Sequence, residues 1–306
     1  MRLVIWNCQG GLHRKIAAIM ALHPDLAIIQ ECECPDRLQS RSAAWRTRPS
    51  VWCGDSPTKG LAVISFSDAQ LAIDATHDPA LKHLLPVVVA GSPSFRLLAV
   101  WTKEDAERRA MYIGQAVLGV KQYAPFIAGN ATVVAGDFNS NQSWDRPNRP
   151  YRHAEMVHRL EGQGLVSAYH HYYGEAQGAE TRNTFYMYRQ QDRGFHIDHC
   201  FVPRAWTPHL RSVQIGAYAD WRYLSDHCPM VVEFDFERSR DPLHWLQRVW
   251  NRTRYPTYPR SLGPCARPWR RYAHQDAHKG LCYACRVMRR AKMIRNLQSG
   301  ATHAFT

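Results

Sequence analysis

The stretch Thr132-Val133-Val134-Ala135-Gly136-Asp137-Phe138-Asn139 reads as a buried β-strand that ends in polar side chains. Its β-branched and small apolar residues suit a strand. Asp137 and Asn139 cannot enter an apolar core, so they mark the point where the chain leaves the sheet. The same pattern recurs along the sequence in both directions. Residues 3–7 form a strand closed by Asn7, and the apolar run 26–30 is closed by Glu31. Asp198 stands between His196-Ile197 and His199-Cys200-Phe201-Val202, and Asp226 and His227 precede Cys228-Pro229-Met230-Val231-Val232. Each element alone is a common turn or strand terminus. Together they place acidic residues and an Asn at the ends of several strands, a set of hard oxygen ligands suited to Mg²⁺ or Mn²⁺. Histidines beside aspartates add proton transfer and hydrogen bonds to phosphate. The combination points to metal-assisted hydrolysis of a phosphate ester.

Around these motifs the chain alternates between the two periodicities. Helical spacing covers residues 15–22, 111–123 and 154–160, and strand-length apolar runs cover 61–66, 87–90, 97–101, 184–188, 199–202, 212–215 and 230–236. Such an order predicts mixed sheets with helices outside them. At 306 residues and 45% hydrophobic, the chain can form a large core. It lacks an apolar run long enough for a membrane span, and residues 1–7 read as a strand, not a secretion signal. The compartment expected is therefore the cytoplasm, with the nine scattered cysteines mostly free thiols.

The motifs Trp6-Asn7, Gln30-Glu31, Gly136-Asp137-Phe138-Asn139, His196-Ile197-Asp198-His199 and Ser225-Asp226-His227-Cys228-Pro229 resemble those of the endonuclease/exonuclease/phosphatase superfamily, DNase I-like and exonuclease III-like, over residues 1–236. The resemblance implies a four-layer α/β sandwich, two packed mixed sheets flanked by helices. It implies that Asn7, Glu31 and Asp226 lie on the metal side, with Glu31 the principal ligand. Asp137 would orient or deprotonate the attacking water, Asn139 would donate to the phosphate or position the nucleophile, Asp198 would orient His227, and His227 would contact the scissile phosphate.

One departure concerns the strand ending Val100-Trp101-Thr102-Lys103. Many relatives place a His or Tyr where Trp101 stands, and an indole cannot titrate. Lys103, His170 and His196 are the further candidates for substrate contact. The departure leaves the leaving-group acid and the substrate class open.

Composition shifts near residue 238. Residues 239–306 hold 14 Lys and Arg against 2 Asp, a net charge of +12, whereas residues 1–238 hold 25 basic against 24 acidic residues. The sequence therefore divides into a catalytic domain, 1–238, and a basic, aromatic-rich extension, 239–306, with helices expected at 243–250 and 282–297. Cys282-Tyr283-Ala284-Cys285, with Cys265, His274 and His278 nearby, is compatible with structural zinc, although no second tight pair accompanies it. Arginines interleaved with Trp and Tyr suit phosphate contact and base stacking, and they also suit anionic lipid headgroups. The leading expectation is a Mg²⁺- or Mn²⁺-dependent nuclease acting on DNA or RNA, with the extension as tether. The alternatives are a phosphoesterase for a phospholipid, an inositol phosphate or a protein–nucleic acid adduct, and a catalytically silent binding module, for which the full set of site residues would be unnecessary.

Overall fold

The structure is a computed structural model and describes residues 1–45, 48–81, 83–104 and 112–236. The helices expected at 243–250 and 282–297, and the zinc ligands expected at Cys265, His278, Cys282 and Cys285, lie outside these residues.

The chain opens with β1 (Arg2–Asn7), α1 (Ile16–Ala21) and β2 (Leu26–Cys32), and the two strands run parallel. After α2 (Pro35–Arg41), the hairpin β3 (Ser50–Ser56) and β4 (Lys59–Ser65) pairs antiparallel with β2. A second sheet begins with the meander β5 (Gln70–Ile73), β6 (Leu84–Ala90) and β7 (Phe95–Trp101). Helices α3 (Ile113–Gln122) and α4 (Ala124–Ile127) then cross over to β8 (Thr132–Asp137), which lies parallel to β7. There follow α5 (His153–Gly162), β9 (Leu165–Ser167), α6 (Ala168–Tyr173) and a short hairpin of β10 (Phe185–Tyr186) and β11 (Gly194–Phe195). β12 (Asp198–Pro203) inserts antiparallel between β8 and β9, giving the order β5-β6-β7-β8-β12-β9. β13 (Leu210–Ile215), α7 (Tyr218–Trp221) and β14 (Met230–Phe234) return to the first sheet, whose order is β13-β14-β1-β2-β4-β3.

Why four layers form can be read from alternate side chains. Leu3, Ile5, Leu26, Ile28, Leu61 and Val63 of the first sheet meet Leu85, Val87, Leu97, Ala99, Val133 and Ala135 of the second in one core. Their strand neighbours point the other way: Val4, Trp6, Ala27, Ile29, Ala62 and Ile64 pack with Ile19 of α1 and Leu38 of α2. On the far side, Leu98, Val100, Val134 and Phe201 pack with α3, α4 and α5 through Val117, Val120, Phe126, Met156 and Leu160. Because both faces are covered, the central strands read as unbroken apolar runs instead of alternating ones. Each fully buried aliphatic side chain contributes about 1.5–3 kcal/mol.

This topology collects one set of strand ends. The C-terminal ends of parallel β1 and β2, and of parallel β7 and β8, lie where antiparallel β14 and β12 begin. The residues expected at strand ends thus share one edge of the sandwich.

The strand expected over 184–188 is only two residues long. It stops because Tyr188 and Arg189 take positive φ values of 55° and 57° in a turn. Strands β3, β5, β9 and β11 and helices α2, α4, α6 and α7 escape the sequence reading. β3, β5 and β9 lie at sheet edges; β5 is largely exposed and β3 half-buried along its length, so neither shows a clean alternation. No helix among the described residues is long and apolar enough to cross a membrane.

Candidate active site

Asp137 ends β8 fully buried and faces Asp198 directly across the β8–β12 ladder. Gly136 makes this possible. Its φ is +150°, and a Cβ there would meet the Val100 carbonyl oxygen at 1.8 Å, so only glycine lets β8 lie this close to β7. Asn139, two residues on, has φ +45°. Its backbone N–H donates to Asp137 Oδ1 at 2.9 Å, and its Nδ2 donates to Asp137 Oδ2 at 3.1 Å and to the Thr102 carbonyl at 2.8 Å. Both amide hydrogens of Asn139 are therefore spent on holding Asp137 and the end of β7. Of the two roles expected for Asn139, this geometry favours positioning.

His227 lies three residues before β14. Ser225 fixes this segment, with its Oγ donating to the Asn7 carbonyl at 2.7 Å and accepting from the His227 N–H at 3.0 Å. Thr184 Oγ1 accepts from the Ile197 and Asp198 N–H groups at 3.0 and 3.1 Å, which anchors the start of β12. The result is a line of three groups: Asp198 Oδ2 lies 2.9 Å from His227 Nδ1, and His227 Nε2 lies 3.9 Å from Asp137 Oδ2. Burial alone would lower the His227 pKa, but the Asp198 and Asp137 carboxylates outweigh it and raise it to about 10. Burial pushes Asp137 up to about 7, against the pull of His227.

Ligand atoms of Asp137, Asp198 and His227 all lie within 4.8 Å of one another, close enough to surround a cation. The imidazole between two carboxylates is held in its charged form, however, and an imidazolium has no lone pair for a metal. The hard-oxygen position is better sought at Glu31. This residue sits at a bulge in β2 with φ +59°, an uncommon conformation for a non-glycine residue that turns it out of the strand ladder. Glu31 Oε1 accepts from Asn7 Nδ2 at 3.3 Å, and Glu31 Oε2 meets Lys59 Nζ at 3.0 Å, so the carboxylate already attracts positive charge. Asn7 Nδ2 also donates to Asp137 Oδ2 at 3.0 Å. Asn7 thereby bridges the two carboxylates through its amide nitrogen, while its oxygen accepts from the Gln9 N–H at 3.0 Å. Asp226 Oδ2 accepts from Gln9 Nε2 at 2.8 Å. Carboxylates at Glu31 and Asp226 fit a divalent cation in chemistry.

Trp101 is buried at the end of β7 beside Asp137 in register, its ring tilted against that of His83 with centres 4.6 Å apart. Lys103 Nζ lies 5.2 Å from the Trp101 ring and 2.7 Å from Asp55 Oδ2. The two histidines expected to contact substrate are turned elsewhere. His196 precedes β12 and does not follow its alternation; its Nδ1 lies 2.7 Å from the Arg182 carbonyl, to which it can donate, and its ring packs on Tyr169 at 4.4 Å. His170, in α6, pairs with Glu180 at 2.9 Å. Neither hydrogen-bonds to the carboxylates of the site. Gln9, Lys59 and Thr184 are site neighbours that the sequence did not single out, and Ser225, quoted there only as part of a motif, is a fourth. Gln9 was reachable, since it stands two residues past a strand-closing Asn. Nothing in the sequence brings Lys59 to Glu31.

The profile of the Endonuclease/Exonuclease/phosphatase family matches residues 4–227. No curated protein gives a significant match to the sequence. Among solved structures, a 3′ phosphatase from Neisseria bound to a product DNA hairpin is similar over 77% of this chain and 100% of its own, with 21% identity and a TM-score of 0.57. An AP endonuclease from Archaeoglobus fulgidus covers 77% of this chain and 99% of its own at 17% identity and a TM-score of 0.53. Truncated TDP2 from Caenorhabditis elegans covers 76% and 96% at 14% identity and a TM-score of 0.53. At these identities the likeness is one of fold.

Proposed function

Because the chain belongs to the endonuclease/exonuclease/phosphatase family, and is thus a hydrolase of phosphoester bonds, we propose that it is a divalent-metal-dependent nuclease that cleaves phosphodiesters of DNA or RNA with an activated water. The observation that carries this reading is the buried line Asp198–His227–Asp137, a proton acceptor facing a cation that a second carboxylate holds in place. Asp137 accepts the proton of the attacking water, and Asn7 and Asn139 hold its carboxylate in place for that step. His227, charged and oriented by Asp198, donates Nε2–H to a non-bridging phosphate oxygen and stabilises charge developing there. Glu31 and Asp226 would hold Mg²⁺ or Mn²⁺, which would supply positive charge to polarise the phosphate and steady the leaving oxygen.

A polymeric substrate is supported by the rim beside Asp226. Tyr186 N–H donates to the Asp226 carbonyl at 2.8 Å, tying the β10–β11 hairpin to the site. At the tip of that hairpin Tyr188 is 75% exposed, with the Arg193 guanidinium 6.0 Å from its ring. Beyond α7, Tyr223 is 71% exposed, with Arg222 4.5 Å from its ring. Exposed rings paired with arginines suit base stacking and phosphate contact. A structure of like fold bound to a product DNA hairpin agrees with this.

The test is a panel of end-labelled single- and double-stranded DNA, RNA and small phosphoesters, incubated with Mg²⁺, Mn²⁺ or EDTA. Cleavage of a polynucleotide that EDTA abolishes is the expected result. Hydrolysis confined to small phosphomonoesters or lipids would replace the nuclease reading with a phosphatase one.

A further inference from the structure

The side chain of Lys59 is 54% exposed at the start of β4, yet its Nζ lies 3.0 Å from Glu31 Oε2 and 5.8 Å from the centre of the Trp101 ring. The backbone delivers it there. The next residue, Gly60, pairs with Cys32 just past the β2 bulge, and a Cβ on it would meet the Trp52 ring at 2.3 Å and the Cys53 carbonyl oxygen at 2.4 Å. Glu31 in turn points at Lys59 because of its left-handed φ. The second lysine at the same indole, Lys103, differs in kind, since it is tied to Asp55, outside the group of site carboxylates.

Resting on the reading that Glu31 holds the metal, we infer that Lys59 is a cation built into the metal pocket: it neutralises Glu31 until a divalent ion arrives, yields that oxygen to it, and then serves the scissile phosphate. A dication and an ammonium do not share one carboxylate oxygen, because their mutual repulsion exceeds what the single anion offsets. The ammonium therefore leaves when the ion enters. Its flexible four-carbon stem and the indole face beneath it give it somewhere to go. The nearest new anion is the phosphate that the ion itself attracts. Lys59 in this way supplies the positive contact that the untitratable Trp101 cannot.

The experiment is a titration of the full chain with Mn²⁺ in the absence of substrate, followed by electron paramagnetic resonance, for wild type, Lys59→Met, Lys59→Arg and Glu31→Gln. Lys59→Met is expected to bind Mn²⁺ roughly three- to tenfold more tightly than wild type, the range of a partly exposed ion pair and its repulsion. Lys59→Arg should stay near wild type, and Glu31→Gln should bind more weakly. At saturating Mn²⁺, Lys59→Met should raise KM for a polynucleotide several-fold. If Lys59→Met binds Mn²⁺ no more tightly while Glu31→Gln still weakens binding, Lys59 is an ordinary surface charge and the inference is overturned alone. If Glu31→Gln leaves Mn²⁺ binding unchanged, the metal assignment fails, and the role of Lys59 with it.

Discussion

Asp137 and His227 are both pushed above their ordinary values, one to about 7 by burial and the other to about 10 by two carboxylates. Their working forms are the Asp137 carboxylate and the His227 cation, so activity rises as Asp137 loses its proton and falls as His227 loses its own. A bell-shaped kcat/KM is expected, with an alkaline limb set by His227 and an acid limb set by Asp137 that lies below 7 because a bound metal adds positive charge. Asp198→Asn removes the largest influence raising His227, so its alkaline limb should move to lower pH. It should also cost about a hundredfold or more in rate. An alkaline limb that stays in place in Asp198→Asn would show that another group titrates there.

At the scale of elements, the β7–β8 contact is the tightest constraint on the site. Gly136→Ala forces a Cβ against the Val100 carbonyl, and backbone must move because no side chain can yield. The expected outcome is a loss of several kcal/mol in urea unfolding; a variant of wild-type stability would mean that β7 and β8 lie further apart. Behind the site, His153, His196 and His199 form a buried cluster with ring centres 4.8 and 5.2 Å apart. Burial lowers all three pKa values, that of His153 to about 4. They are neutral in the fold and protonate near pH 6.5 when unfolded. Stability from this source is present above about pH 6.5 and is lost as pH falls below it, for His153 down to about 4, at up to about 1.4 kcal/mol per pH unit for each histidine. Urea midpoints from pH 7 to pH 5 test this, and a flat profile would contradict it. These elements also show what sequence can convey. Central strands and their terminal residues Asn7, Glu31, Asp137 and Asp198 were legible, because buried runs and the polar residues that end them follow from desolvation. The edge strand β3 was not, since its residues are half-buried on both faces and carry no periodic signal. The histidines misled for a related reason: a strand pattern extended back to His196 puts it on the face of Asp198, but β12 begins only at Asp198, so alternation does not reach it.

At the scale of the whole molecule, the charge is concentrated in residues 239–306, which carry +12 against +1 for residues 1–238. We propose that this extension tethers nucleic acid. Binding through it must weaken steeply with salt, by nearly one unit of logarithmic slope per phosphate contact on duplex DNA. Removing residues 239–306 should flatten that slope and lower affinity for long DNA or RNA, while hydrolysis of a very short substrate changes less. Equal affinity and slope in the two forms would end the tether proposal. The catalytic claim rests on residues 7 to 227 and is tested separately. The most direct measurement is the rate of polynucleotide cleavage at saturating Mn²⁺ by wild type, Asp137→Asn and His227→Ala, each first shown to be folded by circular dichroism. Metal-dependent cleavage by wild type and a loss of about a hundredfold or more in both variants are expected. Cleavage within tenfold of wild type by either folded variant would contradict the catalytic claim.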